Sequence, residues 1–236
     1  MMNAVEVHEL KKAYAHFDLY VPEFSIPYGS VMGLIGENGA GKTTLIRLLC
    51  GVTRADQGEI TVLGTDQVRA RELMNDVGVV TDEESLVPYM TAKETGVMMA
   101  GIYRNWDAER YAQLIQTLEV PQETRFGELS RGNRMKTALA CAMSHNAKIL
   151  LLDEATGGLD PLVRDHVLNL ITEYAGQEGH AVLMSSHIVS DLEKACTDIT
   201  FLHQGRVILS QPRDALLKKH GSIEELFLEM AERKTV

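Results

Sequence analysis

The residues with the clearest chemical purpose lie between Gly36 and Thr43, inside the stretch VMGLIGENGAGKTTLIRLL at 31–49. They fit the pattern G-x-x-x-x-G-K-[ST]. Glycines let backbone N–H groups turn inward and cradle phosphate oxygens without Cβ clashes. A helix beginning at Lys42 would add its positive dipole end behind them. Lys42 reaches the outer phosphates, and the Thr43 hydroxyl can ligate Mg²⁺. The chemistry is nucleoside triphosphate binding by Gly36, Glu37, Asn38, Gly39, Ala40, Gly41, Lys42, Thr43 and Thr44. Further reactive groups are the acids Asp153 and Glu154, which end the run KILLLDE, and His187, which follows Ala181–Ser185. Taken alone, the acids also suit a solvated strand end, and a single histidine there suits a structural role.

These groups need elements to position them. Val31–Ile35 is an apolar run before the loop, and Leu45, Ile46, Leu48 and Leu49 follow at helical spacing, so the order is strand, loop, helix. KILLLDE is apolar on both faces, which marks a central parallel strand. Its acids fall at the C-terminal end, where open α/β sheets bind ligands. Residues 3–30 alternate as short antiparallel strands, with turns expected at Pro22, Pro27 and Gly29. Tyr14, on a strand end, suits either stacking on a flat base or half-burial in the sheet. Gly58–Gly64 reads as an edge strand, 67–76 as helical, and Val77–Val80 as a buried strand. From about Ser85 to His145 the pattern turns helical, with helices expected over Thr91–Tyr103, Asp107–Val120 and Asn133–Ser144. Asp160-Pro161 opens another helix. Thr200–His203 and Arg206–Ser210 form a hairpin around Gln204-Gly205. The tail from Ser222 opens on the capping box SIEE.

Composition narrows the classes. A chain of 236 residues with 45% hydrophobic and 24% charged residues matches one ordinary globular domain. A net charge of −10 argues against a general nucleic-acid binder and against docking on anionic lipid by charge alone. Cys50, Cys141 and Cys196 have no metal or redox spacing and read as buried thiols of a reducing compartment. Neither a signal peptide nor an 18-residue apolar stretch is visible, so no membrane span is expected.

Five signals stand in a fixed order: the phosphate loop, Asp82 after Val77–Val80, LSRGN at 129–133, ILLLDE at 149–154, and His187. In that order the whole chain resembles the ATP-binding cassette (ABC) ATPases. The resemblance implies an α/β fold. A P-loop NTPase core with a mostly parallel central sheet would carry an N-terminal antiparallel β subdomain and an inserted α-helical subdomain. The single domain 1–236 would divide into core and β subdomain at 1–82 and 146–211, insertion at about 83–145, and a helical tail at 212–236. The implied catalytic residues are Glu154 as general base, His187 on the γ-phosphate, and Lys42. Asp153 and Thr43 would hold Mg²⁺. Asp82 stands where the family has a glutamine, and Asp82, Glu83 or Glu84 could ligate Mg²⁺ or form a solvated acidic turn. Tyr14 falls where the family stacks an aromatic on adenine. LSRGN departs from the signature LSGGQ at Arg131 and Asn133. Ser130, Gly132 and the following helix N-terminus would cap ATP held by a second subunit, with Arg131 pointing away or adding charge. Gly157–Asp160 matches a loop that communicates across the two-subunit interface.

The implied machine is a head-to-tail homodimer around two ATP, driving a separate transmembrane permease that docks near Glu83–Met90. It would work at the cytoplasmic face of the cell membrane, without nucleic acid. The LSRGN form resembles bacterial drug and antimicrobial-peptide exporters. A soluble ATPase of an iron–sulfur assembly scaffold, or a nucleotide-sensing regulatory subunit, carries the same cassette.

Overall fold

In a computed structural model of the chain, residues 2–81 and 86–232 are described, the last two by backbone alone. The chain opens with β1 (Asn3–Tyr14) and β2 (Phe17–Pro27), an antiparallel pair, then β3 (Val31–Ile35) and α1 (Lys42–Leu49). Then come β4 (Gln57–Val62), β5 (Val77–Val80) and three helices, α2 (Ala92–Ile102), α3 (Ala108–Thr117) and α4 (Arg131–Met143). The second half runs β6 (Ile149–Asp153), α5 (Pro161–Ala175), β7 (Ala181–Ser185), α6 (Val189–Ala195), β8 (Asp198–His203) and β9 (Arg206–Pro212). It ends with α7 (Arg213–His220) and α8 (Ile223–Glu232).

Among the described residues the strands form one sheet in the order β4-β1-β2-β9-β8-β3-β7-β6-β5. From β8 to β5 every neighbouring pair is parallel. β1 is antiparallel to both of its neighbours, β2 and β4. The two halves meet where Tyr20 of β2 pairs with Arg206 of β9. The N-terminal strands therefore continue the main sheet. β6 lies one strand in from the edge, yet all five of its residues are buried, because helices cover both faces. Ile149 and Leu151 point into the layer that holds α1; Leu150 and Leu152 point into the layer built by α3, α4 and α5. This two-sided burial explains the unbroken apolar run.

The helices keep their local start signals. Thr91 and Glu94 form a reciprocal capping box on α2, Asp107 caps α3, and Ser130 caps α4. α4 thus begins two residues ahead of the expected Asn133. Gly78 in β5 lets α4 approach, since a Cβ there would stand 2.9 Å from the Ala142 carbonyl oxygen. Two other expectations fail. Residues 67–76 hold only the single 3₁₀ turn Leu73–Asn75, because turns here pack over the end of α1, with the Val68 carbonyl against Gly51. Pro22 is not a turn but lies within β2, where its missing N–H is tolerated. Cys50, Cys141 and Cys196 are buried and free.

Candidate functional site

Strand alternation brings the first acid to the phosphate loop. Counting along β6, Ile149, Leu151 and Asp153 share one face, the α1 face. Thr43 sits in the first turn of α1, and its hydroxyl donates to Asp153 Oδ2 at 2.5 Å. In β7 the same count turns Ser185 to that face, level with Asp153 in the register. Ser185 Oγ donates to Asp153 Oδ1 at 2.5 Å and accepts the Glu154 N–H at 3.1 Å. Asp153 is 3% exposed, so its carboxylate is fixed by two hydroxyls away from bulk water.

The loop itself is shaped by glycine. Gly41 takes φ 108° as the N-cap of α1, with no side-chain cap on the helix end, so its first N–H groups are left to a ligand. Gly39 has φ 81° and nothing within 4 Å of a would-be Cβ, so its backbone faces open space. At Gly36 a Cβ would lie 2.3 Å from the Leu202 carbonyl oxygen, which excludes any side chain. Lys42 is buried, and its ammonium donates to the carbonyls of Gly36 at 2.7 Å and Glu37 at 3.3 Å. Ala40 passes its carbonyl to the Gly205 N–H.

Glu154 leaves the strand with φ 54°, a left-handed backbone uncommon for a residue with a side chain. That turn swings its carboxylate from the strand line toward the loop. Oε1 stands 3.6 Å from Lys42 Nζ, and Oε2 meets His187 Nδ1 at 2.5 Å and the His187 N–H at 3.4 Å. Lys42, Thr43, Asp153, Glu154 and His187 are therefore one constellation. A carboxylate between a lysine and a histidine, beside a phosphate cradle, can accept a proton from water attacking a phosphoryl group.

The remaining predicted residues surround this centre. Tyr14, at the end of β1, is 46% exposed, with Phe17 tilted against it at 6.4 Å between ring centroids. Phe17 in turn lies 2.8 Å from a would-be Cβ of Gly41, so the aromatic pair borders the phosphate loop. Ser130 is exposed and accepts the Asn133 N–H at 3.3 Å. Gly132 rests on the following loop, where its Cβ would lie 3.2 Å from the Gly158 carbonyl oxygen. The Arg131 side chain lies over Gly157 and Gly158, 3.5 and 3.6 Å from their would-be Cβ atoms. It therefore points to its own chain's loop. The Asp160 carboxylate accepts the Val163 N–H and caps α5. Asp82, the departure from the family glutamine, lies outside the described residues, as do Glu83 and Glu84. Sequence reasoning passed over Ser185 as a site residue; its signal was the serine pair before His187. His203 was also missed. Its Nδ1 faces Glu37 at 4.0 Å, and its Nε2 is buried without a hydrogen-bond partner.

Mg²⁺ fits this donor set. Among the described residues no three His, Cys, Asp or Glu side chains cluster to cage an ion. Thr43 and Asp153 offer a hydroxyl and one carboxylate, the sparse oxygen set of a cation that also takes phosphate oxygens and water.

A family model described as "ABC transporter" matches residues 20–157. The chain is 31% identical over 204 residues to the Nod factor export ATP-binding protein I of Rhizobium sp. (strain N33), covering 84% of this chain and 66% of that protein, just under two thirds of its length. It is 27% identical over 237 residues to the bacitracin transport ATP-binding protein BcrA of Bacillus licheniformis, covering 97% of this chain and 76% of the relative. A solved ATP-binding subunit of an ABC transporter superposes with a TM-score of 0.87 at 26% identity, over 97% of this chain and 99% of that one.

Proposed function

Because the chain belongs to the ABC transporter family, as an ATP-binding subunit and an ATPase, we propose that it energises export by a separate membrane subunit. The single observation that carries the hydrolytic part is the Lys42–Glu154–His187 contact beside the Thr43–Asp153 pair. In this reading the loop N–H groups and Lys42 hold the outer phosphates. Glu154 takes the proton of the attacking water, and His187 keeps the carboxylate aimed. Mg²⁺, held through Thr43 and Asp153, supplies charge neutralisation at the phosphates. Tyr14 stacks on the base.

Dimerisation completes the site. Ser130 is exposed, and the LSRGN segment rests on its own Gly157–Gly158 loop. We assign the exposed Ser130 face to ATP on a second copy, head to tail. Among the described residues no helix is long and apolar enough to cross a membrane, so coupling needs a partner. The docking surface is placed at the described end of the expected segment, Leu86–Met90, where Tyr89 is 70% exposed. It continues along a cleft of about 720 Å³ past Val97 and Met98. Met98, half-buried, lines this cleft. A peripheral position at the cytoplasmic face follows from such a partner. Export as the direction is favoured by the relative named for Nod factor export, and a peptide or drug as cargo by the one named for bacitracin transport.

The test is Glu154→Gln. Loss of the base lowers kcat by about 10²–10⁴-fold, and ATP should then trap a dimer on size exclusion. A protein that stays monomeric at saturating ATP refutes the head-to-tail reading. A detergent pull-down that retrieves a soluble scaffold and no polytopic protein refutes transport.

A further inference from the structure

A buried carboxylate behind the catalytic groups has no part in the chemistry above. Asp191, in the first turn of α6, is 3% exposed. α6 starts two residues after His187. The groups facing Asp191 are Thr156, Arg164, His187 and Glu154. Thr156 belongs to the loop that follows Glu154, and Arg164 to the first turns of α5. The Arg164 guanidinium donates through Nη2 to the Leu159 carbonyl at 3.0 Å, so the cation lies under that loop.

Three polar atoms of this cluster are buried with no partner in hydrogen-bond geometry: Asp191 Oδ2, Arg164 Nε and Thr156 Oγ1. They are an acceptor, a donor and a group that is both. Burial pushes the Asp191 carboxyl up, Thr156, Arg164 and His187 hold it down, and Glu154 pushes it up again. Thr156 stands close enough to favour the carboxylate without meeting hydrogen-bond geometry. A carboxylate in such a place is costly unless it has a partner, and each group facing it belongs to the loop after β6, to α5, or to the segment of His187. On its other side α6 is anchored by Glu193, whose carboxylate accepts the Ile223 N–H at 2.9 Å and whose carbonyl accepts Arg213 Nη1 at 3.1 Å. The helix is thus held to the C-terminal tail while Asp191 faces the loop that carries the general base.

We propose that Asp191 is a positioning residue for ATP hydrolysis, fixing the Glu154 loop against the His187 segment through Arg164 and Thr156. The proposal rests on the reading of Glu154 as general base and His187 as its orienting partner. Asp191 is buried behind Glu154 and His187 and acts through them.

The experiment measures kcat, ATP affinity and Tm for the purified full chain. Asp191→Asn lowers kcat at least tenfold while the ATP dissociation constant stays within twofold. It also lowers Tm, because the half-buried Arg164 loses the carboxylate that faces its buried Nε. The double variant Asp191→Asn/Arg164→Gln removes both charges, so Tm recovers and kcat stays low. Thr156→Val, which deletes only a hydroxyl, gives the same split at three- to tenfold and decides the matter if Asp191→Asn does not fold. The proposal is overturned if Asp191→Asn or Thr156→Val keeps more than half of the wild-type kcat. It is equally overturned if the double variant regains kcat together with Tm, since the role is then stability alone. Glu154→Gln runs beside them. If it hydrolyses ATP at the wild-type rate, the catalytic assignment has failed; if it is inactive while Asp191→Asn is not, only the positioning role has failed.

Discussion

Ser185→Ala isolates the support beneath Asp153. The hydroxyl is fully buried, donates to Asp153 Oδ1 at 2.5 Å and accepts the Glu154 N–H at 3.1 Å. The alanine leaves the Glu154 N–H a partner, since the Ser185 carbonyl oxygen lies 3.2 Å away. The loss therefore falls mainly on Asp153, which keeps Thr43 as its described donor. A hydrogen bond to a charged group contributes about 1.5–3 kcal/mol. In a chain of this length each kcal/mol moves Tm by about 2–4 °C, so Tm should fall by about 3–12 °C. Removing a residue that orients a metal ligand typically lowers metal affinity about 10–100-fold. The assay is ATPase rate against free Mg²⁺, with calorimetric Tm alongside. The half-saturating Mg²⁺ should rise by about that factor, with most of kcat recovered at saturation. A lowered Tm with an unchanged Mg²⁺ curve refutes the argument, because Ser185 would then stabilise the fold without orienting the ligand.

Gly36→Ala should abolish ATP binding and lower stability by about 1–3 kcal/mol, because its Cβ would meet the Leu202 carbonyl oxygen at 2.3 Å; equilibrium dialysis with ATP and a urea melt check both. Tyr14→Ala should weaken ATP binding about fivefold or more, as a base–aromatic stack is worth about 1–3 kcal/mol, while Tyr14→Phe retains affinity. Burial lowers the pKa of His145, whose ring nitrogens stand 3.2 and 3.3 Å from the Cys141 and Val77 carbonyl oxygens, so that the neutral ring donates to one of them, and whose ring stacks on Tyr103 at 4.0 Å. A histidine whose folded pKa lies below the unfolded value of about 6.5 favours folding above that pH, and this contribution is lost as pH falls through the folded pKa. His145→Gln should therefore flatten the decline of Tm between pH 7 and pH 5, and an unchanged slope would show that His145 titrates alike in the folded and unfolded states.

Much of the site is written in local sequence because local physics makes it. The loop from Gly36 to Thr43 needs glycine for positive φ at Gly39 and Gly41 and a helix start behind it, and both are visible within a dozen residues. The apolar runs at β3, β6 and β7 report two-sided burial directly, and caps at Thr91, Asp107 and Asp160 mark helix starts by their own hydrogen bonds. The failures share one cause. Residues 67–76 have apolar spacing but pack as turns over the end of α1, so tertiary contact overrode propensity. Pro22 lies inside β2, and a proline in a strand is read as a turn unless it is known that no ladder bond is needed from its position.

Taken by itself, the order of residues determined which chemical groups the protein owns: a phosphate-cradling loop, two acids ending a buried strand, and a histidine after the next one. Their meeting was decided only in three dimensions. Lys42 and Glu154 are 112 positions apart in the chain, and 3.6 Å apart in space because β3, β7 and β6 lie side by side in the sheet. Ser185 reaches Asp153 because their strands pair in that register, and Arg131 lies on Gly157–Gly158 because α4 begins two residues earlier than its periodicity suggests. Spacing along a chain carries local conformation, whereas strand order and register depend on which apolar faces bury one another, and that is a property of the whole fold.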